Sequence, residues 1–257
     1  MAVSTDETRG DAIWQRPEVA QGYLNQTRQV IPLADEQLDV LYRVLDAHEV
    51  TVHTLLDVGA GDGFAAAAVM ARHPVERAVL LDFSETMLAA AANRFADAEA
   101  DVTFVSGDLQ AIDWHDAVRA GGPCDAIVSR YAIHHIPHER KRALYADLLE
   151  FLRPGGVFVN IEHVSSASPV YEQAWERLFT DSIATAYPDE QARSDAIEAY
   201  WSRQDAATNV LAPVDEQCAW LRDAGFVDVD CAFKVFELAI FAGRRPDRAS
   251  GLSDSGR

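Results

Sequence analysis

Short apolar runs alternate with helical stretches along most of the chain, and this alternation restricts the folds open to it. Five runs have the length and composition of buried strands: Thr54–Val58, Ala78–Leu81, Val102–Val105, Ala126–Ser129 and Val157–Ile161. Apolar residues between them recur at helical spacing, as in Phe64–Arg72 and Glu85–Phe95. The alternation predicts an α/β fold with a mainly parallel sheet and helices on both faces.

The C-terminal third departs from this alternation. Val227–Ala232 and Val235–Phe241 are almost contiguous, so we expect an antiparallel hairpin that completes a seven-stranded, Rossmann-like sheet with an antiparallel last strand. Residues 168–212 are mostly helical in pattern and carry five aromatic residues: Trp175, Phe179, Tyr187, Tyr200 and Trp201. This insertion is either a helical cap over the ligand site or a pair of packing helices whose aromatic residues form core.

The remaining segments complete the expected domain organisation. Residues 1–50 should form an N-terminal helical segment over the ligand site, with a helix that begins after Pro32. Residues 51–245 should form the core, including the insertion at 168–212. Residues 246–257 are rich in Ser, Gly, Asp and Arg, which predicts a disordered tail.

The composition argues against several kinds of partner. With 41 acidic and 22 basic residues the net charge is −19, so we expect neither nucleic acid nor anionic membrane as a partner. The short basic run Arg140–Arg142 is typical of a solvated helix face. Three irregularly spaced cysteines favour a reducing, cytoplasmic setting without a disulfide framework or metal site. The sequence does not distinguish a monomer from a homodimer.

A glycine-rich turn joins the first predicted strand of the core to the first predicted helix. Leu55–Gly63 reads L-L-D-V-G-A-G-D-G. Its glycines allow a tight turn and a close approach of the backbone to a ligand. Dinucleotide-binding enzymes use G-x-G-x-x-G, whereas the third glycine here comes one residue early.

Acidic residues follow the next two predicted strands. Asp82 lies about twenty residues beyond the turn, where a carboxylate can accept hydrogen bonds from ribose hydroxyls. It could also cap the following helix, since Ser84 and Glu85 come next. Asp108 follows the third strand, where it could bond an adenine amino group. Each of these strand ends thus offers one polar contact to a nucleoside.

Five segments in this order resemble the class I S-adenosylmethionine-dependent methyltransferases: D-V-G-A-G-D-G, L-L-D-F-S-E-T-M-L, G-D-L, D-A-I-V-S-R-Y-A-I-H-H-I and L-R-P-G-G-V-F-V. The resemblance implies that S-adenosylmethionine is the cofactor and that Asp82 holds its ribose. It assigns the methionine part to the turn residues Asp57, Gly59, Ala60, Gly61 and Gly63. It assigns the adenine to Phe83, Met87, Asp108 and Leu109.

The stretch from Asn209 to Cys231 is similar to a subgroup of this family that contains the carboxy-S-adenosylmethionine synthase of tRNA wobble-uridine modification. It is also similar to many small-molecule methyltransferases. Two departures argue against the carboxylated cofactor. Gln204 aligns with the arginine that holds the extra carboxylate in the synthase, although Arg203 is adjacent, and Ala34 replaces a cofactor-contacting tyrosine. The ordinary cofactor is therefore favoured.

Candidates for the acceptor side follow the fourth and fifth strands, because ligands of open α/β sheets bind at the carboxyl ends of the strands. Methyl transfer requires positioning and exclusion of water, and a hydroxyl or protonated amine acceptor also requires a proton acceptor. The catalytic candidates are Tyr131, His134, Glu162 and His163. Of these, Glu162 and His163 are the better candidates for contact with the acceptor. His134 and its neighbour His135 could equally be structural.

Three further residues are expected at the methionine end of the cofactor. Tyr23 and Arg28 belong to an N-terminal segment of a kind that often folds over the cofactor in this family, although they could simply pack. Arg130 could hold the methionine carboxylate or a carboxylate on the substrate, or pair with a nearby acid.

We therefore expect a small-molecule methyltransferase, possible acceptors being an acid, an amine or a phenol. The alternatives are an enzyme like the carboxy-S-adenosylmethionine synthase, a NAD-dependent oxidoreductase, which the glycine spacing and the hairpin disfavour, and a protein that binds S-adenosylmethionine without catalysis.

Overall fold

A computed structural model describes residues 10–247 of the chain. Of the tail expected at 246–257, all but Pro246 and Asp247 lie outside the described residues. Among the described residues, no helix is long and apolar enough to cross a membrane.

The centre of the molecule is one seven-stranded sheet. Its strands are β1 (Thr54–Val58), β2 (Arg77–Asp82), β3 (Asp101–Ser106), β4 (Cys124–Arg130), β5 (Leu152–His163), β6 (Val227–Val235) and β7 (Leu238–Arg244). The strand order is β3-β2-β1-β4-β5-β7-β6. Strands β1 to β5 pair in parallel, and β7 is antiparallel to both β5 and β6. The predicted Rossmann-like sheet with an antiparallel last strand is confirmed.

Helices cover both faces of the sheet. They are α1 (Pro17–Asn25), α2 (Ala34–Ala47), α3 (Phe64–Met70), α4 (Glu85–Arg94), α5 (His115–Ala120), α6 (His138–Phe151), α7 (Pro169–Ala186), α8 (Glu190–Trp201) and α9 (Val214–Ala224). Short 3₁₀ turns occupy Gly10–Gln15, Thr27–Val30, Ile133–His135 and Gln204–Thr208. The helix expected after Pro32 begins at Ala34.

Side-chain alternation along the central strands divides the core in two. Every residue of β1 is buried, and successive side chains point to opposite faces of the sheet. Leu55 packs with residues of α2 and α3, whereas Leu56 packs with residues of α6 and α9. Near-continuous apolar strands are therefore possible here, because helices shield both faces from water.

The topology places a crevice at the carboxyl ends of β1 and β4. Chain connections leave β1 toward β2 on one side and reach β4 on the other, and ligands of open α/β sheets bind at such switch points. Helices α7 and α8 lie near this end of the sheet and pack against Val30 and Ile31 of the N-terminal segment. The Ser182 hydroxyl donates a hydrogen bond of 2.8 Å to the Val30 carbonyl.

Candidate active site

One cavity at the carboxyl ends of the parallel strands brings most of the predicted site residues together. It contains about 1100 Å³ of empty space, counting the part open to solvent. Its lining includes these residues assigned to the cofactor: Tyr23, Gly59, Gly61, Asp82, Phe83, Met87, Asp108 and Leu109. Of the catalytic candidates it includes Tyr131, His134 and His163. The predicted cofactor and acceptor residues thus face a shared space.

The glycine turn approaches the cavity with a backbone that requires glycine. Gly59 and Gly61 both have positive φ, +65° and +56°. A Cβ on Gly59 would lie 2.1 Å from the Cβ of Ala132, whereas a Cβ on Gly61 would meet only the Met87 sulfur, at 3.9 Å. The turn is therefore packed against the segment after β4 at Gly59 and leaves room beside Gly61.

Asp82 is held at the floor of this space by the backbone around it. Its Oδ2 accepts a hydrogen bond from the Gly61 amide and its Oδ1 accepts one from the Ser84 amide, both at 2.8 Å. Burial raises the pKa of this carboxyl above its ordinary value, although the backbone donors oppose that shift. Asp82 therefore organises the turn and the start of α4, and its carboxylate retains acceptor capacity for a ligand hydroxyl.

Asp57, Ala60 and Gly63 support the turn from below and do not line the cavity. Asp57 is fully buried, and its Oδ2 accepts a hydrogen bond of 2.9 Å from the Ala66 amide in the first turn of α3. Burial raises its pKa to about 7. A Cβ on Gly63 would lie 2.4 Å from the Phe95 ring. We therefore expect these three residues to act on the methionine part only indirectly, by fixing the backbone conformation of the turn.

Arg28 and Arg130, which the sequence assigns to the methionine end, also do not line the cavity. Arg28 and Arg94 both form an ion pair with Asp62 of the glycine turn. Although burial acts in the opposite direction, hydrogen bonds from these two arginines lower the pKa of Asp62. Arg28 therefore ties the N-terminal segment to the turn.

The Arg130 guanidinium packs between two aromatic rings. Its Cζ lies 4.7 Å from the centroid of the Phe64 ring and 4.9 Å from that of Tyr131. Its Nε is buried without a hydrogen-bond partner in the part of the chain that the structure describes. The side chain is thus stacked on two rings and does not line the cavity, and its expected contact with a carboxylate stays a prediction.

His134 reaches the cavity with a buried carboxylate behind it. Its Nδ1 lies 2.6 Å from Glu162 Oε1, and the same oxygen accepts a hydrogen bond of 2.8 Å from the His163 amide. Burial lowers the pKa of His134 well below its ordinary value and raises that of Glu162 to about 7. Glu162 is fully buried and does not line the cavity. Glu162 therefore lies behind His134 and does not itself face the cavity, where it was expected to contact the acceptor.

His163 has a carboxylate partner that sequence reasoning missed. Its Nε2 lies 2.7 Å from Oε2 of Glu237, a residue between β6 and β7 that is 74 positions away in the chain. The Ser166 hydroxyl donates a hydrogen bond of 2.6 Å to Glu237 Oε1. The His134 and His163 ring centroids are 5.6 Å apart. Two imidazoles, each with its own carboxylate, therefore lie side by side in the cavity wall.

Tyr131 lines the cavity, and its hydroxyl is bonded to a buried partner. Its hydroxyl donates a hydrogen bond of 2.7 Å to the buried Gln37 side chain, and burial raises its pKa far above the ordinary value. The residue has a positive φ of 52°, a conformation unusual for a side chain of this size. The strained turn after β4 carries the chain on to His134.

Aromatic residues of the insertion form another part of the wall, together with one arginine. Trp175, Phe179 and Tyr200 line the cavity and are nearly fully buried, so they are both wall and core. Phe179 and Tyr200 stack with ring centroids 4.0 Å apart. Arg203 lines the cavity, whereas Gln204 does not. The Nε atom of Arg203 pairs with Asp205 at 3.2 Å, and its Nη1 donates a hydrogen bond of 2.8 Å to the Tyr200 carbonyl.

The N-terminal segment contributes two further aromatic residues. Trp14 and Tyr23 line the cavity, and their ring centroids are 5.6 Å apart. Burial raises the pKa of Tyr23. Trp14 also lies 5.3 Å from the His135 ring, which likewise lines the cavity. Within the described residues no cluster of three or more His, Cys, Asp or Glu side chains is arranged to hold a metal ion.

The sequence is similar to known methyltransferases and to a related synthase. Residues 55–156 match a protein family described as a methyltransferase domain. The chain is 26% identical to the carboxy-S-adenosyl-L-methionine synthase of Chromohalobacter salexigens, over 91% of this chain and 88% of that protein. It is 28% identical to the trans-aconitate 2-methyltransferase of an Acidovorax species, over 73% and 72% of the two chains.

The fold itself recurs among solved structures. An O-methyltransferase family protein from Burkholderia thailandensis superposes with a TM-score of 0.65 at 17% sequence identity. The alignment covers 93% of this chain but 63% of that one, so the chain spans less than two thirds of this solved relative.

Proposed function

We propose that the chain is a class I S-adenosylmethionine-dependent methyltransferase that transfers the methyl group of this cofactor to a hydroxyl group of a small, planar acceptor. One observation carries the proposal: a single cavity joins the strand-end residues expected to hold the cofactor to a histidine backed by a buried carboxylate. The wall between them is largely aromatic, which suits a flat acceptor.

The strand-end residues fit the chemistry of the cofactor. Asp82 offers carboxylate lone pairs to the two ribose hydroxyls. Phe83, Met87 and Leu109 give apolar surfaces for the adenine, beside the polar side chain of Asp108. The open space beside Gly61 admits the methionine part against bare backbone. We assign Asp57, Ala60, Gly63, Arg28 and Arg130 to the support of this site.

S-adenosylmethionine supplies an electrophilic methyl group on a positively charged sulfur. His134 acts as the general base for the acceptor: its Nε2 takes the hydroxyl proton while the oxygen forms a bond to the methyl carbon and the carbon–sulfur pair returns to sulfur. Glu162 positions the ring and stabilises the imidazolium that forms. The products are the methyl ether and S-adenosylhomocysteine.

The segments flanking the cavity exclude water from the reacting atoms. Residues 1–50 and the insertion at 168–212 contribute Trp14, Tyr23, Trp175, Phe179 and Tyr200 to its wall. Displacement at a sulfonium needs positioning and a dry site. We therefore propose that these two segments close over bound cofactor and acceptor.

The net charge of −19 supports a small molecule rather than nucleic acid as the partner. Cys124, Cys218 and Cys231 are all free thiols, which supports a cytoplasmic setting. We leave monomer and homodimer equally open.

The experiment is incubation of the protein with methyl-labelled S-adenosylmethionine and a panel of small phenols, hydroxy acids and amines, with products identified by mass spectrometry. A labelled methyl ether supports the proposal, and its formation should require His134. A carboxymethylated product would replace it with chemistry like that of the synthase. Tight binding of S-adenosylhomocysteine without transfer to any compound would leave a protein that binds the cofactor without catalysis.

A further inference from the structure

Two imidazole–carboxylate pairs share the acceptor end of the cavity, and the proposed reaction uses one of them. We name them the two dyads: His134 with Glu162, and His163 with Glu237. The nitrogen–oxygen distances are 2.6 Å and 2.7 Å. Both histidines line the cavity, while both carboxylates are buried behind them. The second dyad, His163 with Glu237, does not take the acceptor's proton in the proposed reaction, so we expect it to have a different role.

The hydrogen bonds of each carboxylate determine where its histidine carries the proton. Glu162 Oε1 already accepts the His163 amide, and Glu237 Oε1 accepts the Ser166 hydroxyl. Each carboxylate is thus an acceptor, which keeps the imidazole proton on the nitrogen facing it. In a neutral ring the other nitrogen is then a hydrogen-bond acceptor. These nitrogens are His134 Nε2 and His163 Nδ1.

Burial and nearby positive charge keep His134 neutral. Burial is the main cause of its lowered pKa, and the positive charges of Lys141 and Arg203 also lower it. The two ring centroids are 5.6 Å apart, at an interplanar angle of 71°. The two rings are close enough for one ligand to reach both acceptor nitrogens, and a ligand that pairs both of them must supply two donor hydrogens. A single hydroxyl has one hydrogen and would leave one nitrogen unpaired, at a cost in binding free energy.

We propose that the acceptor is a vicinal dihydroxy aromatic compound, whose two adjacent hydroxyls donate to His134 Nε2 and His163 Nδ1. This inference rests on the proposed function. Two hydroxyls on neighbouring carbons, each at a hydrogen-bond distance of about 2.8 Å, suit this separation of the rings. The His163 ring also packs 5.6 Å from Trp175, which offers an aromatic surface beside the hydroxyls.

The position of the two dyads determines which hydroxyl reacts. His134 is two residues beyond Ala132, which lies against Gly59 of the turn that approaches the cofactor. His163 ends β5, which β4 separates from β1 and its turn in the sheet, and its ring packs against Trp175. The hydroxyl on His134 loses its proton to Nε2 and gains the methyl group, while the hydroxyl on His163 keeps its proton. The monomethyl product has one donor fewer, so it binds less well than the diol and leaves before a second transfer.

The experiment measures binding separately from turnover. Catechol, phenol and resorcinol are titrated by calorimetry into protein saturated with S-adenosylhomocysteine. Catechol should bind about tenfold or more tightly than the other two, since only it pairs both nitrogens. His163→Phe should reduce catechol affinity more than phenol affinity, so that most of this advantage is lost. Glu237→Gln should reduce the affinity advantage of catechol, because a glutamine holds the His163 tautomer less firmly than a carboxylate does. Glu172→Gln, at an exposed position of α7, is the matched control.

The outcomes separate this inference from the proposed function. Equal binding of catechol and phenol, no binding of catechol, or a catechol advantage that survives in His163→Phe overturns the two-hydroxyl inference. If a compound with a single hydroxyl is methylated at the same time, the proposed function stands. Absence of S-adenosylhomocysteine binding, or of methyl transfer to any acceptor, refutes the proposed function instead. A monomethyl ether as the sole product from catechol supports both.

Discussion

Replacing Asp82 by Asn tests the cofactor assignment without knowledge of the acceptor. The carboxylate has two roles in this structure: it binds the amides of Gly61 and Ser84, and we assign the ribose hydroxyls to it. Asn has the same shape, but its NH₂ group must face one of the two amide donors. The substitution therefore disturbs the turn as well as the ribose contact, and binding of the cofactor alone does not separate them.

The expected loss follows from the bonds involved. A hydrogen bond to a charged group contributes about 1.5–3 kcal/mol, so two hydroxyls on one carboxylate contribute about 3 kcal/mol or more. Asp82 is partly exposed, which favours the lower end of that range. A loss of about 3 kcal/mol raises the Kd about 100-fold. Calorimetric titration with S-adenosylhomocysteine measures it, and Asp101→Asn, at an exposed position on the neighbouring strand, is the control.

A ligand lacking one hydroxyl separates the ribose contact from the turn. 2′-Deoxy-S-adenosylhomocysteine should bind the native protein about tenfold less tightly than S-adenosylhomocysteine, because one charged hydrogen bond is lost. In Asp82→Asn the penalty for the missing hydroxyl should nearly vanish, giving a coupling energy of about 1 kcal/mol or more. The same penalty in both proteins would refute the ribose assignment and leave Asp82 with a purely structural role.

Three further perturbations test other parts of the structure. Burial raises the pKa of Glu162 to about 7, so below that pH its dyad with His134 gains a proton and loses the negative charge that stabilises the imidazolium. The kcat should therefore rise with pH through about 7, and a flat profile from pH 6 to 8 would contradict the role of His134 as the base. Gly59→Ala places a methyl group 2.1 Å from the Ala132 Cβ at a residue with a left-handed backbone conformation. The variant should therefore lose S-adenosylhomocysteine binding in calorimetry. The control Gly22→Ala, which has open space around the new methyl group, should bind normally. Lys141→Met leaves one buried and one partly buried carbonyl without their ammonium donor and should lower the free energy of unfolding by about 2–4 kcal/mol in denaturant titration; a change below about 0.5 kcal/mol would contradict this.

The arrangement of strands and helices was predictable because each element is determined largely by its own residues. Apolar runs bounded by turn residues mark β1 to β5, and the near-contiguous runs after Val227 mark the β6–β7 hairpin. The strand boundaries were predicted less well. Strand β5 extends over Leu152–His163 instead of Val157–Ile161, because it pairs with β4 on one side and β7 on the other.

The sequence left two interpretations of residues 168–212, a cap or a pair of packing helices, because the burial of a helix depends on the elements that pack against it. The pattern of residues 168–212 predicts helices but does not tell a cavity wall from a core. In the structure Trp175 and Phe179 serve as both, whereas Trp201, with the same kind of side chain, is 42% exposed.

The sequence by itself determined the α/β fold, the glycine turn and Asp82 at the next strand end, since each is a matter of residues close together in the chain. Only the tertiary structure decided which charged and titratable side chains line the cavity. In the fold Arg28 pairs with Asp62. Glu162 is buried behind His134, 28 positions away in the chain, and Glu237 contacts His163, 74 positions away. A side chain's partner and its pKa depend on which strand ends and loops meet in space, and no local pattern contains that information.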